Sequence, residues 1–225
     1  MLSVEEVQRL SAQLKIDRER IVREFYEIFF LNEISKESWS QFLVFKGGTA
    51  LRLAYNSPRF SDDIDFSIIQ SIASSDVFQF ATVVSKKINA EIRDRWEKRN
   101  TILVEFGLQE DTLPQSFGIK IEISKRSSQK INSELKVLRS PASPLEALFN
   151  VQTLEDMLND KIEALKSRDE PRDLFDIWYI CQKLQIPMPQ INVRMDEKII
   201  NQVLRKYLPV NWYRAIDEIA SRSKE

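Results

Sequence analysis

Two short motifs between residues 45 and 68 carry residue types that bind phosphate and metal ions: FKGGTAL, followed by RFSDDIDFS. Gly47 and Gly48 are two of only four glycines in the chain, and they directly precede a predicted helix at 49–55. Without a Cβ atom, their backbone N–H groups can approach an anion closely, and the positive end of the helix dipole attracts it. The glycine pair therefore predicts a phosphate-binding site.

The carboxylates of the second motif are spaced to share one face of a strand. Asp63 and Asp65 alternate with the apolar residues Ile64, Phe66 and Ile68, so the acidic and apolar side chains project to opposite faces. Two carboxylates so close together repel each other unless a cation lies between them, and oxygen-only ligands suit Mg²⁺. A phosphate site beside such a cation predicts chemistry on a nucleoside triphosphate.

Each motif also has an ordinary structural explanation. A Gly-Gly pair is usually a turn, and Asp-x-Asp on a strand is most often a solvated edge. The motifs nevertheless occur in a fixed order: a strand, the glycines, a helix, a turn and then the acidic strand. That order favours the functional interpretation of both.

Composition narrows the available chemistry. The 225 residues include no histidine and one cysteine, Cys181, which excludes histidine-dependent triads and imidazole zinc sites. A bound metal is therefore expected to be Mg²⁺ or Mn²⁺ held by oxygen ligands. The formal net charge of −1 leaves only a local basic face to bind nucleic acid. We see no secretory signal and no apolar stretch of about 20 residues, so we expect a cytoplasmic protein with no membrane partner.

Hydrophobic periodicity predicts an α/β (α+β) fold with a mixed sheet, followed by a C-terminal helical bundle. Strands are predicted at 42–45, 62–69, 101–108 and 117–124, and helices at 3–14, 17–34, 49–55 and 75–98. Beyond the Ser/Pro-rich segment 140–144, every predicted element is a helix: 145–149, 153–167, 172–184, 195–207 and 211–222. We therefore place a domain boundary there, with an α/β domain and its N-terminal helices at 1–140 and a helical domain at 141–225.

The two motifs together resemble the polymerase-β-type nucleotidyltransferase superfamily, in which a helix-opening Gly-Gly or Gly-Ser is followed by Asp-x-Asp on the next strand. More closely, they resemble the AbiEii/AbiGii toxin family, also called DUF1814. This resemblance implies a nucleotidyltransferase core and the following nucleotide-binding residues: Lys46, Gly47, Gly48, Thr49, Arg59 and Ser61. It also implies that Asp63 and Asp65 are catalytic metal ligands, with Asp62 flanking them.

The resemblance extends to a later strand and to the helical half. The superfamily brings a third carboxylate, for which Glu122 is the candidate as a catalytic metal ligand; the alternative is an ordinary solvent-facing acid. The stretch DKIEALKSRDEPRDLFDIWYI resembles the family's last motif. It implies that Lys161 and Arg168 bind the nucleotide and that Lys161 also takes part in catalysis. Arg172 and Asp176 are four apart on a predicted helix, so we expect them to form a structural ion pair.

The resemblance implies a metal-dependent nucleotidyltransferase that moves a nucleoside monophosphate from an NTP to an acceptor hydroxyl. Family members transfer nucleotides to tRNA 3′ ends or bind GTP, so tRNA is the favoured acceptor, and a cognate antitoxin is an expected partner. Two alternatives stay open. One is an enzyme of the same fold that modifies a protein or a small molecule, which the near-neutral charge permits. The other is a non-catalytic nucleotide-binding regulator, although the intact Gly-Gly and Asp-x-Asp motifs argue against decay.

Overall fold

The computed structural model describes residues 2–126, 131–190 and 195–222, which form seven strands and eight α-helices. The strands are β1 Leu43–Lys46, β2 Asp63–Ile68, β3 Glu91–Lys98, β4 Thr101–Leu108, β5 Phe117–Ser124, β6 Ser133–Ser140 and β7 Ser143–Gln152. They form a single sheet in the order β3-β4-β5-β2-β1-β7-β6. β1 runs antiparallel to β2 and parallel to β7, and β2 runs parallel to β5. The sheet is therefore mixed, which confirms the predicted fold class.

The helices are α1 Val4–Leu14, α2 Arg18–Ile34, α3 Gly47–Tyr55, α4 Ser74–Lys87, α5 Leu154–Ser167, α6 Pro171–Leu184, α7 Glu197–Leu204 and α8 Tyr213–Arg222. Among these, α1, α5, α6 and α7 follow a residue whose side chain accepts a hydrogen bond from a free N–H group of the first turn. At α1, the Ser3 hydroxyl accepts from the Glu6 N–H at 3.2 Å, and the Glu6 carboxylate accepts from the Ser3 N–H at 2.9 Å. Thr153 caps α5 in the same sense. None of the described helices is both long and apolar enough to cross a lipid bilayer.

The sheet has one apolar face and one polar face. Phe45, Phe66 and Phe149 come from the adjacent strands β1, β2 and β7, and their ring centroids lie 5.3 to 6.3 Å apart on the apolar face. Helix α2 packs on this face through Phe30, whose ring lies 4.6 Å from that of Phe106 on β4. Because side chains alternate along each strand, the polar residues between these aromatics project to the opposite face. That polar face carries the candidate site.

The predicted helix at 75–98 is wrong beyond Lys87. Helix α4 ends there, Asn89 takes a left-handed conformation with φ of 52°, and the following residues form the edge strand β3. Ile88 and Ile92 continue the helical spacing of apolar residues, and this coincidence hid the turn. The pairing of β3 with β4 along its whole length outweighs the local pattern.

The predicted helix at 145–149 is also wrong, because residues 133–152 form a β-hairpin. Strands β6 and β7 pair on either side of Pro141 and Ala142, so the Ser/Pro-rich segment is a hairpin turn. The sequence Leu-Glu-Ala-Leu at 145–148 favours a helix by intrinsic propensity. Pairing of β7 with both β1 and β6 overrides that preference. The change from strands to helices therefore lies at Thr153.

Candidate active site

A single cleft of about 810 Å³ between the polar face of the sheet and helices α5 and α6 gathers almost all the residues predicted for the site. The predicted residues that line it are Lys46, Gly47, Gly48, Arg59, Ser61, Asp63, Asp65, Glu122, Lys161 and Arg168. Thr49 is the exception. Its side chain is fully buried, and its hydroxyl donates to the backbone carbonyl of Asp63, so it holds α3 against β2.

Strand register places three site residues in one row on the polar face. Lys46 of β1 pairs with Asp65 of β2, and Asp65 pairs with Glu122 of β5. Asp63 lies one step along β2 on the same face, as its alternation with Ile64 predicts. Within the described part of the chain, neither Asp63 nor Asp65 has a hydrogen-bonding or ion-pair partner for its carboxylate.

The local electrostatics disfavour negative charge on both aspartates. Burial, followed by the charge of Asp63, raises the pKa of Asp65 to about 6, although Lys161 opposes the shift. Burial and the neighbouring Asp62 likewise raise the pKa of Asp63. Two partly buried carboxylates without a direct ion-pair partner are the donor set expected where a divalent cation binds, since the cation would replace protons and relieve the repulsion.

These carboxylates fit a cation that the protein holds only in part. Among residues 2–126, 131–190 and 195–222, no three acidic or cysteine side chains are arranged to hold a metal ion by themselves. Mg²⁺ typically takes one or two carboxylates and completes its coordination with water and substrate phosphates. Asp63 and Asp65 can supply that pair. The role of Glu122 as a third ligand stays a prediction.

The glycine pair opens α3 directly beside the carboxylates. Gly47 has a φ of +80°, which favours glycine, and a Cβ there would overlap a carboxylate oxygen of Asp65. A Cβ at Gly48 would lie 2.6 Å from Oγ of Ser61 and would overlap the guanidinium of Arg59. The helix has no side-chain hydrogen bond at its N-cap, Lys46, so its first N–H groups are available to an anion.

The guanidinium of Arg59 is hydrogen-bonded to other groups of the protein. It is 2% exposed, and its Nε and Nη2 donate to the two carboxylate oxygens of Asp176 at 2.7 and 2.8 Å. Its Nη1 donates to the carbonyl of Phe60 at 2.8 Å. This bidentate pair ties the segment before β2 to helix α6 directly behind Gly48. A phosphate contact by Arg59 would have to replace one of these bonds.

Lys161 brings a fixed positive charge to the cleft. Its Nζ lies 2.7 Å from carboxylate oxygens of both Asp173 and Asp176. Burial disfavours the charge on Lys161, but Asp176 and Asp173 outweigh it and raise the pKa of this lysine. Nη2 of Arg168 lies 2.8 Å from a carboxylate oxygen of Asp173, which also pairs with Lys161. The side chain of Arg168 is 61% exposed, so it lies at the rim of the cleft.

The predicted pair between Arg172 and Asp176 is wrong. Asp176 is fully buried and already paired with Arg59 and Lys161. Arg172 instead contacts Glu170 at 3.1 Å and lies 3.5 Å from Asp62. Helical spacing allowed the predicted pair, but partners from outside the helix decide both contacts.

Two contributors to the cleft region had no recognisable sequence signal. The Tyr207 hydroxyl donates to Asp62 at 2.6 Å, and its backbone carbonyl accepts from the Phe60 N–H at 2.8 Å. The Gln152 amide donates to Asp160 at 2.9 Å within the cleft lining. All three bonds join segments that are distant in sequence or in different elements, and a single sequence does not show such proximity.

Comparisons with known proteins agree with this geometry. The family model described as "Nucleotidyl transferase AbiEii toxin, Type IV TA system" matches residues 30–208. The solved structure of JHP933 from Helicobacter pylori is similar with a TM-score of 0.56 and 16% identity, covering 93% of this chain and 92% of that one. A second H. pylori structure, described only as a candidate nucleotidyltransferase, has a TM-score of 0.51, 17% identity and coverage of 92% and 91%. Both likenesses concern the fold alone, and no curated protein matches the sequence.

Proposed function

Because this chain belongs to the AbiEii nucleotidyltransferase toxin family, we propose that it transfers a nucleoside monophosphate from an NTP to an acceptor hydroxyl of tRNA. The observation that carries the proposal is the row formed by Lys46, Asp65 and Glu122 beside the glycine turn of α3. A helix N-terminus without a side-chain cap and two carboxylates without an ion-pair partner lie together in one cleft. Nucleotide transfer needs both in one place.

The triphosphate is held from two sides of the cleft. The first N–H groups of α3 and the ammonium of Lys46 bind its terminal phosphates on the β1 side. Lys161 faces them from α5, and its charge is maintained by Asp173 and Asp176. Arg168 adds a more exposed positive charge at the rim. These cations neutralise the charge that develops on the departing pyrophosphate.

In the reaction, the acceptor oxygen forms a bond to the α-phosphorus while the bond from the α-phosphorus to the bridging oxygen breaks, and pyrophosphate leaves. Asp63 and Asp65 would hold Mg²⁺ or Mn²⁺, which when bound neutralises phosphate charge and acidifies the acceptor hydroxyl. Glu122 lies on the opposite side of Asp65 from Lys46. In the proposed reaction Glu122 orients the hydroxyl and accepts its proton, a contribution of about 10²- to 10⁴-fold for general bases.

The family's description as a toxin supports two further parts of the proposal. A cognate antitoxin restrains the activity. The toxin acts in the cytoplasm, where both tRNA and NTPs are available.

A labelling experiment tests the proposed reaction. Purified protein is incubated with α-³²P-labelled NTPs and Mg²⁺ or Mn²⁺, with either total tRNA or a protein extract as acceptor. We expect label on tRNA with the wild-type protein and none with Asp65→Asn. Asp111→Asn is the matched control, because Asp111 is exposed in the turn between β4 and β5 and does not line the cleft.

The same experiment separates the alternatives. Label on a protein of the extract, with none on tRNA, would support the protein-modifying enzyme and refute the tRNA acceptor. NTP binding without pyrophosphate release under any condition would support a non-catalytic regulator. Equal labelling by Asp65→Asn and the wild-type protein would refute the catalytic role of the carboxylates.

A further inference from the structure

A tryptophan lies in the same row as the site carboxylates, two strands beyond Glu122. Trp96 of β3 pairs with Leu103 of β4, and Leu103 pairs with Glu122 of β5. Because directly paired residues share a face of the sheet, the indole lies on the polar face. Two strand spacings place it about 10 Å from Glu122.

Packing in the hydrophobic core does not explain the presence of the Trp96 indole at this position. Trp96 is partly exposed, and among the described residues it does not belong to the hydrophobic core or pack against it. Its Nε1 donates to Asp94 at 3.0 Å, and the ammonium of Lys98 lies 4.3 Å from its ring centroid. The charged residues of β3 already protect this edge strand from pairing with other chains. The contact with Asp94 orients a large aromatic surface that no packing requirement explains.

The geometry of the proposed reaction requires the acceptor to approach Asp65 from the β5 side, where Trp96 lies. The glycine turn and Lys46 lie on the β1 side of Asp65, where the leaving pyrophosphate is held in the proposed reaction. Attacking and leaving oxygens are roughly in line, so the acceptor must enter from the opposite, β5 side. Strands β4 and β3 are the next ones in that direction. Thr101 of β4 lines the cleft and pairs with Lys98, so the cleft opens onto β3.

Cationic side chains accompany the tryptophan on this face. Lys120 pairs with Asp63 in strand register, is exposed, and has no ion-pair partner within the described ranges. The ammonium of Lys98 contacts the indole and is likewise without a carboxylate partner in those ranges. A chain with a net charge of −1 thus has two lysines without ion-pair partners beside an aromatic ring, on a face that also carries Asp94, Glu105 and Glu122. Cations beside an aromatic ring are the combination that binds single-stranded nucleic acid.

We propose that the polar face of β3–β5 is the platform for the acceptor RNA, with Trp96 stacked on an unpaired base close to the reacting end. Lys98 and Lys120 contact the adjacent phosphates. Unpaired RNA is commonly bound by stacking its bases on aromatic side chains. Base stacking is stronger than an exposed cation–π contact, so a base can displace Lys98 from the ring and leave its ammonium free to bind phosphate. This inference rests on the proposed function for the identity of the acceptor.

Binding and kinetics test the platform separately from the reaction. A short single-stranded oligoribonucleotide is added to the full-length protein without NTP or divalent metal, and both fluorescence anisotropy of the labelled oligonucleotide and tryptophan quenching are recorded. We expect Trp96→Ala to weaken binding by about 5- to 150-fold, the range for loss of one stacked base. Trp96→Phe should keep most of the affinity but lose the quenching. Trp212→Phe is the matched control and should keep both, because Trp212 is also partly exposed but lies in the turn before α8 and not on the sheet.

The outcomes distinguish the platform from the reaction. In the transfer assay, Trp96→Ala should raise the KM for the RNA acceptor and leave the KM for NTP unchanged. Unchanged quenching in Trp96→Phe, or unchanged affinity in Trp96→Ala, would overturn the platform even if transfer to RNA occurs. Trp96-dependent RNA binding without any transfer to RNA would instead support the platform and overturn the proposed reaction.

Discussion

Replacing Asp176 by asparagine should destabilise the protein far more than replacing any surface acid. The side chain is fully buried and carries the only negative charge paired with Arg59 among the described residues. It also shares the charge of Lys161 with Asp173. Asp176→Asn preserves volume but leaves two nearby cations with one carboxylate fewer. Removal of one partner of a buried ion pair typically costs about 3–5 kcal/mol, because the remaining charge stays buried.

That cost translates into a large thermal shift. For a protein of this size, each kcal/mol corresponds to about 2–4 °C, so Asp176→Asn should lower the Tm by about 6–20 °C. Lys161→Met should cost less, because Asp176 keeps Arg59 and Asp173 keeps Arg168. Arg172→Ala is the matched control. Its pair with Glu170 is partly exposed, and such pairs contribute about 0–1 kcal/mol.

Urea denaturation at pH 7, followed by circular dichroism, measures all three variants on one scale. The expected order of destabilisation is Asp176→Asn, then Lys161→Met, then Arg172→Ala. A free energy of unfolding for Asp176→Asn within 1 kcal/mol (about one surface pair) of wild type would refute the reasoning. It would show that the ion pair between Arg59, which precedes β2, and Asp176 of α6 does not contribute substantially to the stability of the fold.

Two further predictions concern a glycine and a buried acid. Gly48→Ala should weaken NTP binding and lower the Tm, because its Cβ would lie 2.6 Å from Oγ of Ser61 and overlap the guanidinium of Arg59. Gly118→Ala, which lies outside the cleft, is the control. Normal binding of NTP by both variants in calorimetric titration would contradict the idea. Burial and then Glu24 raise the pKa of Glu27 well above 4.5, so the folded state retains a proton that the unfolded state loses above pH 4.5. The wild-type free energy of unfolding should therefore fall by up to about 1.4 kcal/mol per pH unit from there towards the folded-state pKa. Glu27→Gln should escape this loss and be more stable than wild type at pH 7 but not at pH 4, and a pH-independent difference would count against the assignment.

The site was predictable where function depends on adjacent residues. Gly47, Gly48, Asp63 and Asp65 are close in sequence, so one short stretch contained both the glycine pair and the carboxylate pair that line the cleft. Alternation along β5 was enough to place Glu122 on the same polar face.

Prediction failed where partners distant in sequence decide the outcome. Strand β7 has helix-favouring residues and became a strand because β1 and β6 lie beside it. Arg172 and Asp176 have the spacing of a helical pair, yet Arg59 and Lys161 bind Asp176. Propensity and periodicity describe only local preferences, whereas these contacts are set by tertiary packing.

Strand β7 is translated after the other six strands of the sheet, yet it lies beside β1, which leads directly into the glycine pair that opens α3. While the chain emerges from the ribosome, β1 lacks its neighbour β7 until residues 143–152 have been synthesised. Arg59 likewise lacks its ion-pair partner until Asp176 has left the ribosome. Long-range contacts of this kind form late. If the proposed activity depends on these contacts, a nascent chain is expected to stay inactive until residues 143–176 have been translated, and products of translation that stalls before them would lack that activity.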